Sequence, residues 1–506
     1  MRVALAAHGN VLRGVIEAHG GWLFKHTVTV CVPRSARRNL QAAVDAQRAL
    51  QLPVRIRERV ACVRRRGKVG ADPDVPSRRR SVVVASALAS SLRLGRLRIQ
   101  IVGAVVGVAL LVGACSSGPS PSPPSSASST ARFRLIDHAT LQAQVASMAR
   151  EMLVPGAVVL VRSPAGELST TYGTTTVDGT IPVSLADHVR VGSITKTWTG
   201  TVILQQAQEG KLSLDDPVSK FRPDVPGGER ITIAELLNMR SGLYNYTETR
   251  ELNEIGDSDP QKVWNSDELL ALAYSHPPYF PPGTGYHYSN TDTVLLGLIA
   301  ETLDAKPLSQ VFQDRLFTPL GLTDTLFPPS TSRAIPDPHP QGYMYGNNVL
   351  TMGSPAAVPP DMQAAAKAGT LQPSDQTSLN PSWAWAAGAG ISTVADLASW
   401  VEALAQGKLL DPDMQAKRIA SLQSTNPAQP DAPQYGLAIA KFGALYGQTG
   451  EVPGFNTFAG TDPKNKVTIV VWVNLEPTAD GRAAATIIAK DLIEQMYSPS
   501  TPTTTR

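Results

Sequence analysis

The chain has 506 residues, 42% hydrophobic and 17% charged, with 40 Gly and 40 Pro, a length and composition that exclude a mostly disordered or collagen-like protein. The net charge of +4 conceals an asymmetry, because residues 1–98 carry 20 Lys and Arg against 5 Asp and Glu, whereas the rest carries 26 against 37. The large C-terminal part is therefore acidic, which gives a nucleic-acid role there no electrostatic support.

The first 92 residues form a basic segment without a complete domain pattern. Two stretches, residues 16–27 and 42–50, resemble pieces of a class III nucleotide cyclase. Residues 28–30 read Val-Thr-Val where that family carries its metal-binding Gly-Asp-Gly, and such a fragment is too short for the domain's core. We expect residues 1–92 to be a non-functional remnant or an over-extended start, with a nucleic-acid-binding tail as the alternative.

Residues 93–115 combine the features of an export signal. A cluster of arginines ends at Arg98, residues 101–114 are all apolar or Gly, and Cys115 follows directly. The run is short for a bilayer about 30 Å thick but suits the core of a signal peptide. With residues 112–115 as its lipobox, the segment resembles a bacterial lipoprotein signal, in which Cys115 would be lipidated. That resemblance implies a lipid anchor at the extracytoplasmic face of the cell membrane; the alternative is a short transmembrane anchor.

The remaining boundaries follow from composition. Residues 116–131 are rich in Ser and Pro, which is typical of an extended spacer, and residues 498–506 form a similar tail. Residues 132–497 between them have an ordinary globular pattern. The three cysteines, Cys31, Cys62 and Cys115, form neither a disulfide framework nor a CxxC metal pattern.

The globular part begins and ends with predicted strands. Residues 157–161 predict a buried strand with a hairpin partner at 167–171, and residues 466–473 predict another strand followed by a helix. Between them, Thr232 and Glu235 form a capping-box pattern, and residues 294–299 predict an apolar helix. We therefore expect an α/β (α+β) fold, in which an antiparallel sheet flanked by helices carries a helical lobe and a ligand cleft lies between them.

Ser193 and Lys196 form the only Ser-x-x-Lys pattern in the chain. Apolar residues recur every four positions from Ile194, so a helix is predicted to begin here and to bring the hydroxyl beside the amine. Serine becomes a strong nucleophile only when a neighbouring base takes its proton, and a buried, partly neutral lysine is such a base. The alternative is a chance pair on a helix surface.

Tyr288 and Asn290 form a Tyr-Ser-Asn pattern after the turn predicted by residues 280–283. A phenolate is a base if cations lower its pKa, and the Asn290 side chain is suited to orienting Lys196 or a substrate amide. An ordinary turn before a helix explains the pattern equally well. A similar Tyr-Gly-Asn at Tyr345 lacks both the preceding turn and the apolar helix.

Gln448, Thr449 and Gly450 form a third short motif. At a strand edge the Thr449 hydroxyl could bind a substrate carboxylate, and Gly450 would allow close approach of the backbone. Taken alone, the motif is simply a Gly-rich turn.

The three motifs, in this order, resemble the serine β-lactamase and D-alanyl-D-alanine carboxypeptidase superfamily, in particular its class C-like branch. The similarity spans residues 135–497 and implies roles for matching positions. Ser193 would be the acylated nucleophile, Lys196 and Tyr288 would transfer protons, and Asn290 would contact the lysine and the substrate. Gln448, Thr449 and Gly450 would bind substrate, and the backbone N–H groups of Ser193 and Glu451 would form the oxyanion hole.

Gln448 departs from the superfamily pattern, which usually has Lys or His at this position. A cation near Tyr288 and a substrate carboxylate is then missing, which makes tight binding of a free carboxylate doubtful. No cofactor or metal is expected, because the histidines show no zinc-hydrolase spacing.

The leading hypothesis is an exported serine hydrolase acting on peptidoglycan stem peptides or β-lactams. One alternative is an esterase or other amidase on the same fold, which Gln448 favours; the other is a non-catalytic penicillin- or peptidoglycan-binding lipoprotein.

Overall fold

The computed structural model describes residues 134–429 and 431–497, together with the backbone of three short strands near the N-terminus. The chain divides into two units, residues 1–118 and 119–506. In the first, strands β1 (Trp22–Leu23), β2 (Thr29–Cys31) and β3 (Arg55–Ile56) form a small sheet in that order. The predicted signal with Cys115, the spacer at 116–131 and the tail at 498–506 lie outside the described residues.

An eight-stranded antiparallel sheet forms the centre of the second unit, in the order β10-β11-β12-β13-β14-β15-β4-β5. Strand β4 (Gly156–Ser163), near the start of the unit, pairs in this sheet with β15 (Val467–Val473), near its end. Val158 of β4 lies opposite Trp472 of β15. The strands of this unit, including two small pairs β6–β9 and β7–β8, are β4 (Gly156–Ser163), β5 (Gly166–Gly173), β6 (Val189–Arg190), β7 (Tyr343–Met344), β8 (Ser374–Asp375), β9 (Ile391–Ser392), β10 (Gln423–Ser424), β11 (Gln434–Tyr435), β12 (Ala440–Phe442), β13 (Leu445–Val452), β14 (Phe455–Asp462) and β15 (Val467–Val473).

Helices cover the sheet and build a lobe beside it. They are α1 (His138–Glu151), α2 (Thr195–Gln208), α3 (Ile233–Leu237), α4 (Arg250–Ser258), α5 (Ser266–Tyr274), α6 (Asn290–Asp304), α7 (Leu308–Phe312), α8 (Thr318–Leu320), α9 (Pro360–Lys367), α10 (Val394–Gln406), α11 (Pro412–Ala420) and α12 (Ala484–Tyr497). The capping box predicted at Thr232 is present and begins α3. The structure confirms the predicted fold class, an antiparallel sheet with helices.

Alternate side chains of the central strands enter two separate hydrophobic clusters, because successive residues of a strand point to opposite faces. Val159 and Val471 pack in one cluster with residues of α1 and α12. Val158 and Trp472 pack in the other with α10 and with the helical lobe. Both faces are therefore buried, which explains why β4 and β15 have continuous apolar sequences instead of alternating ones.

Helix α2 lies in the centre of the larger cluster. Its Trp198 is fully buried and makes edge-to-face contacts with Phe312, Phe317 and Trp400. Such aromatic pairs add about 0.5–1.5 kcal/mol beyond the area that they bury. The packing fixes the helix that carries the Ser-x-x-Lys motif. No helix in the described part of the chain is both long and apolar enough to cross a membrane.

Candidate active site

A tight turn before α2 holds Ser193. The short strand β6 leads into the turn Gly192–Ile194, which continues directly into the helix. Arg190 is buried and its guanidinium donates hydrogen bonds to three backbone carbonyls, while Ile194 is completely buried. The hydrogen bonds of Arg190 and the packing of Ile194 fix the backbone on both sides of Ser193. Ser193 itself is partly exposed and lines a cleft.

The turn packs closely against strand β13. Gly192 has a φ of +54°, and a Cβ atom added to it would lie 2.7 Å from the backbone nitrogen of Glu451. At Gly450 an added Cβ would lie 2.0 Å from the Val191 carbonyl oxygen. Only glycine allows this approach at both positions. The predicted oxyanion-hole segments, at Ser193 and Glu451, are therefore neighbours in the structure.

Lys196 is buried beneath Ser193 and makes three short contacts. Its Nζ lies 2.9 Å from Ser193 Oγ, 2.6 Å from Asn290 Oδ1 and 2.8 Å from the Ala387 carbonyl oxygen. Burial lowers the pKa of Lys196 well below its usual value, and the Glu451 carboxylate partly offsets this effect. A neutral amine has two N–H donors and one lone pair. Because Asn290 Oδ1 and the Ala387 carbonyl can only accept, the lone pair is left for the Ser193 hydroxyl.

Tyr288 completes the group around Ser193. It lies two residues before α6, an interaction with the Ser193 hydroxyl lowers the pKa of its phenol, and Lys196 Nζ is 4.8 Å from the centre of its ring. Burial raises the pKa of Tyr288 well above its usual value, and Tyr435 raises it further. The Tyr-Ser-Asn motif alone is compatible with a phenolate base. The raised pKa favours the protonated phenol over the phenolate. Tyr288 therefore rests as a neutral hydroxyl that can pass on a proton.

Asn290 is held by two residues, Asn245 and Thr247, that lie outside the three sequence motifs. Its backbone N–H donates to Asn245 Oδ1 at 3.0 Å, and its Nδ2 donates to Thr247 Oγ1 at 3.0 Å. These contacts turn the Asn290 side-chain oxygen toward Lys196. Asn245 and Thr247 lie in the stretch 241–247, Ser-Gly-Leu-Tyr-Asn-Tyr-Thr, which resembles the D-alanyl-D-alanine carboxypeptidase members of the superfamily, and this likeness is the signal that could have identified them.

Gln448 and Thr449 form part of the cleft wall on β13. Gln448 is buried, its Nε2 lies 3.3 Å from the Tyr435 hydroxyl, and its Oε1 accepts a hydrogen bond from the Thr449 N–H. Thr449 keeps some exposure to the cleft. Strand β12 pairs only with residues Leu445 to Gly447 of β13. The following residues of β13, which include Gln448 and Thr449, therefore have no neighbouring strand on that edge.

The cleft has a volume of about 1060 Å³ and is lined by residues of both the sheet and the helical lobe. Its acidic lining residues are Glu248, Asp259, Glu451 and Glu476, and its basic ones are Lys262 and His287. Lys262 lies 3.3 Å from Glu268, and His287 lies 2.9 Å from Glu248. Neither is left as a free cation to bind a substrate carboxylate. Within residues 134–429 and 431–497, no cluster of His, Cys, Asp or Glu is arranged to hold a metal ion.

The family pattern described as "Beta-lactamase" matches residues 142–492, which include all three motifs. The chain belongs to the beta-lactamase family. This assignment confirms the predicted superfamily, whereas the class C-like branch stays a prediction.

Relatives within this family have several names. A Bacillus subtilis protein with the name "Putative penicillin-binding protein PbpX" is 24% identical over 340 residues, which cover 66% of this chain and 74% of that protein. Protein flp of Staphylococcus aureus is 32% identical over 185 residues, 34% of this chain and 35% of the relative. The chain therefore spans only about a third of flp.

Two solved structures extend the comparison. A D-stereospecific amidohydrolase from Streptomyces sp. is 29% identical, with a TM-score of 0.60 over 72% of this chain and 100% of the other. The D-amino acid amidase of Ochrobactrum anthropi is 24% identical, with a TM-score of 0.59 over 70% of this chain and 97% of the amidase, and supports the fold alone.

Proposed function

We propose that this chain is a serine amidase that forms an acyl-enzyme on Ser193. The observation that carries the proposal is the position of Lys196 Nζ, 2.9 Å from Ser193 Oγ and otherwise in contact with two groups that only accept, so that the neutral form of the amine would turn its lone pair to the Ser193 hydroxyl. A base within hydrogen-bonding reach of the proton that it removes typically accelerates a reaction about 10²- to 10⁴-fold. The similarity to the Streptomyces amidohydrolase supports amides as the substrate class.

The reaction would consist of two acyl transfers. Lys196 takes the proton of Ser193 while Oγ attacks the carbonyl carbon, and the backbone N–H groups of Ser193 and Glu451 stabilise the negative oxygen. Tyr288 donates its proton to the leaving nitrogen as the C–N bond breaks and receives in its place the proton that Lys196 had taken, so that Lys196 is again a neutral amine. Water then attacks the acyl-enzyme by the same route, which releases the acid and restores Ser193.

Two substrate classes fit this chemistry. Stem peptides ending in D-Ala-D-Ala and β-lactams are the leading candidates from the family resemblance. Amides or esters without a carboxylate are the second, and one observation favours them: Gln448 is neutral and is hydrogen bonded to Tyr435, so it supplies no charge to a carboxylate.

A substrate panel separates these classes. We would compare the hydrolysis of a D-Ala-D-Ala tripeptide, nitrocefin, a D-amino acid amide and a p-nitrophenyl ester by the unaltered chain and by Ser193→Ala. We expect the amide or the tripeptide to be hydrolysed, and only when Ser193 is present. Folded protein that hydrolyses none of the four would contradict the proposal and favour a binding protein.

We further propose that the domain is exported and anchored by lipid at Cys115, on the basis of residues 93–115. Expression in a bacterium with lipoprotein processing should give incorporation of radiolabelled palmitate and protease-accessible protein on the outer face of the cytoplasmic membrane. The Cys115→Ala variant should lose the label. Label that persists in this variant would overturn the assignment of Cys115.

A further inference from the structure

Glu248 closes a ring of hydrogen bonds around Asn245, the residue that holds Asn290. Asn245 and Glu248 lie three positions apart, at the two ends of one short helical turn. Asn245 Nδ2 donates to Glu248 Oε1 at 3.3 Å, and the Asn245 N–H donates to the Tyr279 hydroxyl at 3.1 Å. That hydroxyl in turn donates to Glu248 Oε2 at 2.7 Å. The carboxylate therefore holds Asn245 both directly and through Tyr279.

The Glu248 carboxyl group is an acceptor for all of these donors because it stays ionised. Burial opposes ionisation, but the hydrogen bonds from His287 and Tyr279 outweigh it and lower the pKa of Glu248. Burial and the hydrogen bond to Glu248 raise the pKa of Tyr279, which keeps its hydroxyl a donor. A carboxylate can only accept, so the nitrogen of the Asn245 amide must face Glu248. The Asn245 oxygen is then left to accept from Asn290.

The orientation of the Asn245 amide depends on this contact. Asn245 is 5% exposed, and Glu248 is the acceptor for its Nδ2 among the described residues. The Asn290 N–H and Nδ2 both donate to Asn245 Oδ1, at 3.0 and 3.4 Å. A buried donor that loses its acceptor is costly, so the amide should turn or shift when Glu248 is removed. A turned amide would place its own NH₂ group against the two donors of Asn290.

The same carboxylate contacts the segment that carries Tyr288. His287 directly precedes Tyr288, and its Nε2 lies 2.9 Å from Glu248 Oε1. The His287 ring stacks on Tyr279, with the ring centroids 3.7 Å apart. Glu248 thus connects the turn that holds Asn290 with the segment that holds Tyr288.

We propose that Glu248 is a positioning residue for Lys196. It acts through Asn245 and Asn290, the second of which accepts from the amine at 2.6 Å. A displaced Asn290 would leave the Lys196 lone pair free to turn away from Ser193. The proposal rests on the proposed amidase function, because it takes Lys196 as the base. Glu248 also lines the cleft, so direct contact with the substrate is the alternative that the test must exclude.

The first test compares Glu248→Leu with Glu248→Gln in the full chain. Gln keeps an oxygen that can accept from Asn245 and His287, which both contact Oε1, whereas Leu keeps only the approximate volume. The Glu248 side chain is 44% exposed, so both variants should fold. Acylation of Ser193 by p-nitrophenyl acetate should slow about tenfold in Glu248→Leu, as expected for one lost hydrogen bond, with half-saturation at the same ester concentration. Gln should restore most of the rate. His276→Leu alters an exposed ring outside the cleft lining and should leave the rate unchanged.

A double-mutant cycle tests whether Glu248 acts through Asn245. In the Asn245→Ala background, Glu248→Leu should change the acylation rate by no more than about twofold, because the link to Asn290 is already lost. The full loss in that background, or a changed half-saturation concentration, would indicate contact with the substrate and overturn the proposal. Equal losses in Glu248→Leu and Glu248→Gln, or no loss in either, would also overturn it.

Crystal structures of the same variants give a readout that does not depend on turnover. In Glu248→Leu the distance from Asn290 Oδ1 to Lys196 Nζ should exceed the hydrogen-bonding limit of about 3.5 Å, and Glu248→Gln should keep the contact. An unchanged contact in Glu248→Leu overturns the positioning role even if Ser193 is acylated in the unaltered chain. A broken contact, in a protein whose unaltered form is acylated by no donor, would retain the positioning role and reject the amidase.

Discussion

Asn290 Oδ1 lies 2.6 Å from Lys196 Nζ and thereby fixes which way the amine faces. The Ala387 carbonyl accepts a second N–H of the amine. The remaining position on the Lys196 nitrogen therefore faces the Ser193 hydroxyl. Asn290 on helix α6, held by Asn245, therefore sets the direction in which Lys196 on α2 donates its N–H groups. The nucleophile depends on this three-part arrangement and not on the Ser-x-x-Lys spacing alone.

Replacing Lys196 with Met should slow acylation of Ser193 by about 10²- to 10⁴-fold, since a neutral side chain of similar length cannot accept the proton. The rate is measured by stopped-flow with a p-nitrophenyl ester. Lys262→Met removes an amine from the lining of the same cleft and serves as the control, with little change expected. Equal rates in the two variants would exclude Lys196 as the base.

The pH dependence should show that Lys196 acts as the neutral amine. The protonated amine cannot accept the Ser193 proton, so kcat/KM should rise with pH through the lowered pKa of Lys196. The Glu451 carboxylate stabilises the ammonium form and raises that pKa. Glu451→Gln should therefore move the rising part of the profile to lower pH, whereas Asp259→Asn should not. A movement to higher pH in Glu451→Gln would contradict the assignment.

Much of the fold could be predicted because its signals are local. The apolar runs of β4 and β15 and the capping box at Thr232 each depend on neighbours in sequence. The Ser193–Lys196 contact was predictable for the same reason, because one helical turn sets it.

The rest of the site depends on contacts between distant parts of the chain. The Ala387 carbonyl is 191 positions from Lys196, and a backbone carbonyl has no signature in the sequence. The protonation of Tyr288 is set by burial and by Tyr435, neither of which its own motif reveals. The motif around Gly450 predicts only a backbone role for Glu451, because the desolvation of its carboxyl group is a tertiary property.

The contact between the turn and β13 can be tested at Gly192. Gly192→Ala and the control Gly210→Ala both place a Cβ at positive φ, at a cost of about 1–2 kcal/mol each. The Cβ at Gly210 meets nothing within 4 Å, whereas the one at Gly192 meets the Glu451 backbone nitrogen. Urea unfolding should show the larger loss for Gly192→Ala, and only this variant should also acylate slowly. Acylation at the unaltered rate in Gly192→Ala would argue against Glu451 N–H as an oxyanion donor.

Gln448 should determine how well the cleft accepts a carboxylate. Gln448→Lys would place a cation beside Tyr435 and should raise the acylation rate with penicillin relative to that with an uncharged ester, although burial of the ammonium should lower the stability. Gln448→Met is the neutral control. The two rates are measured with fluorescent penicillin and a p-nitrophenyl ester. If the ratio in Gln448→Lys is no higher than in Gln448→Met, the missing cation does not limit carboxylate binding.

The most direct measurement is peptide mapping by mass spectrometry after brief incubation of the full chain with an ester, an amide and a penicillin, followed by acid quenching. The account predicts that at least one donor leaves its acyl group on Ser193 and on no other residue, that Ser193→Ala carries none, and that Lys196→Met accumulates it slowly. An acyl group found on a different residue, or retained by folded Ser193→Ala, would contradict it.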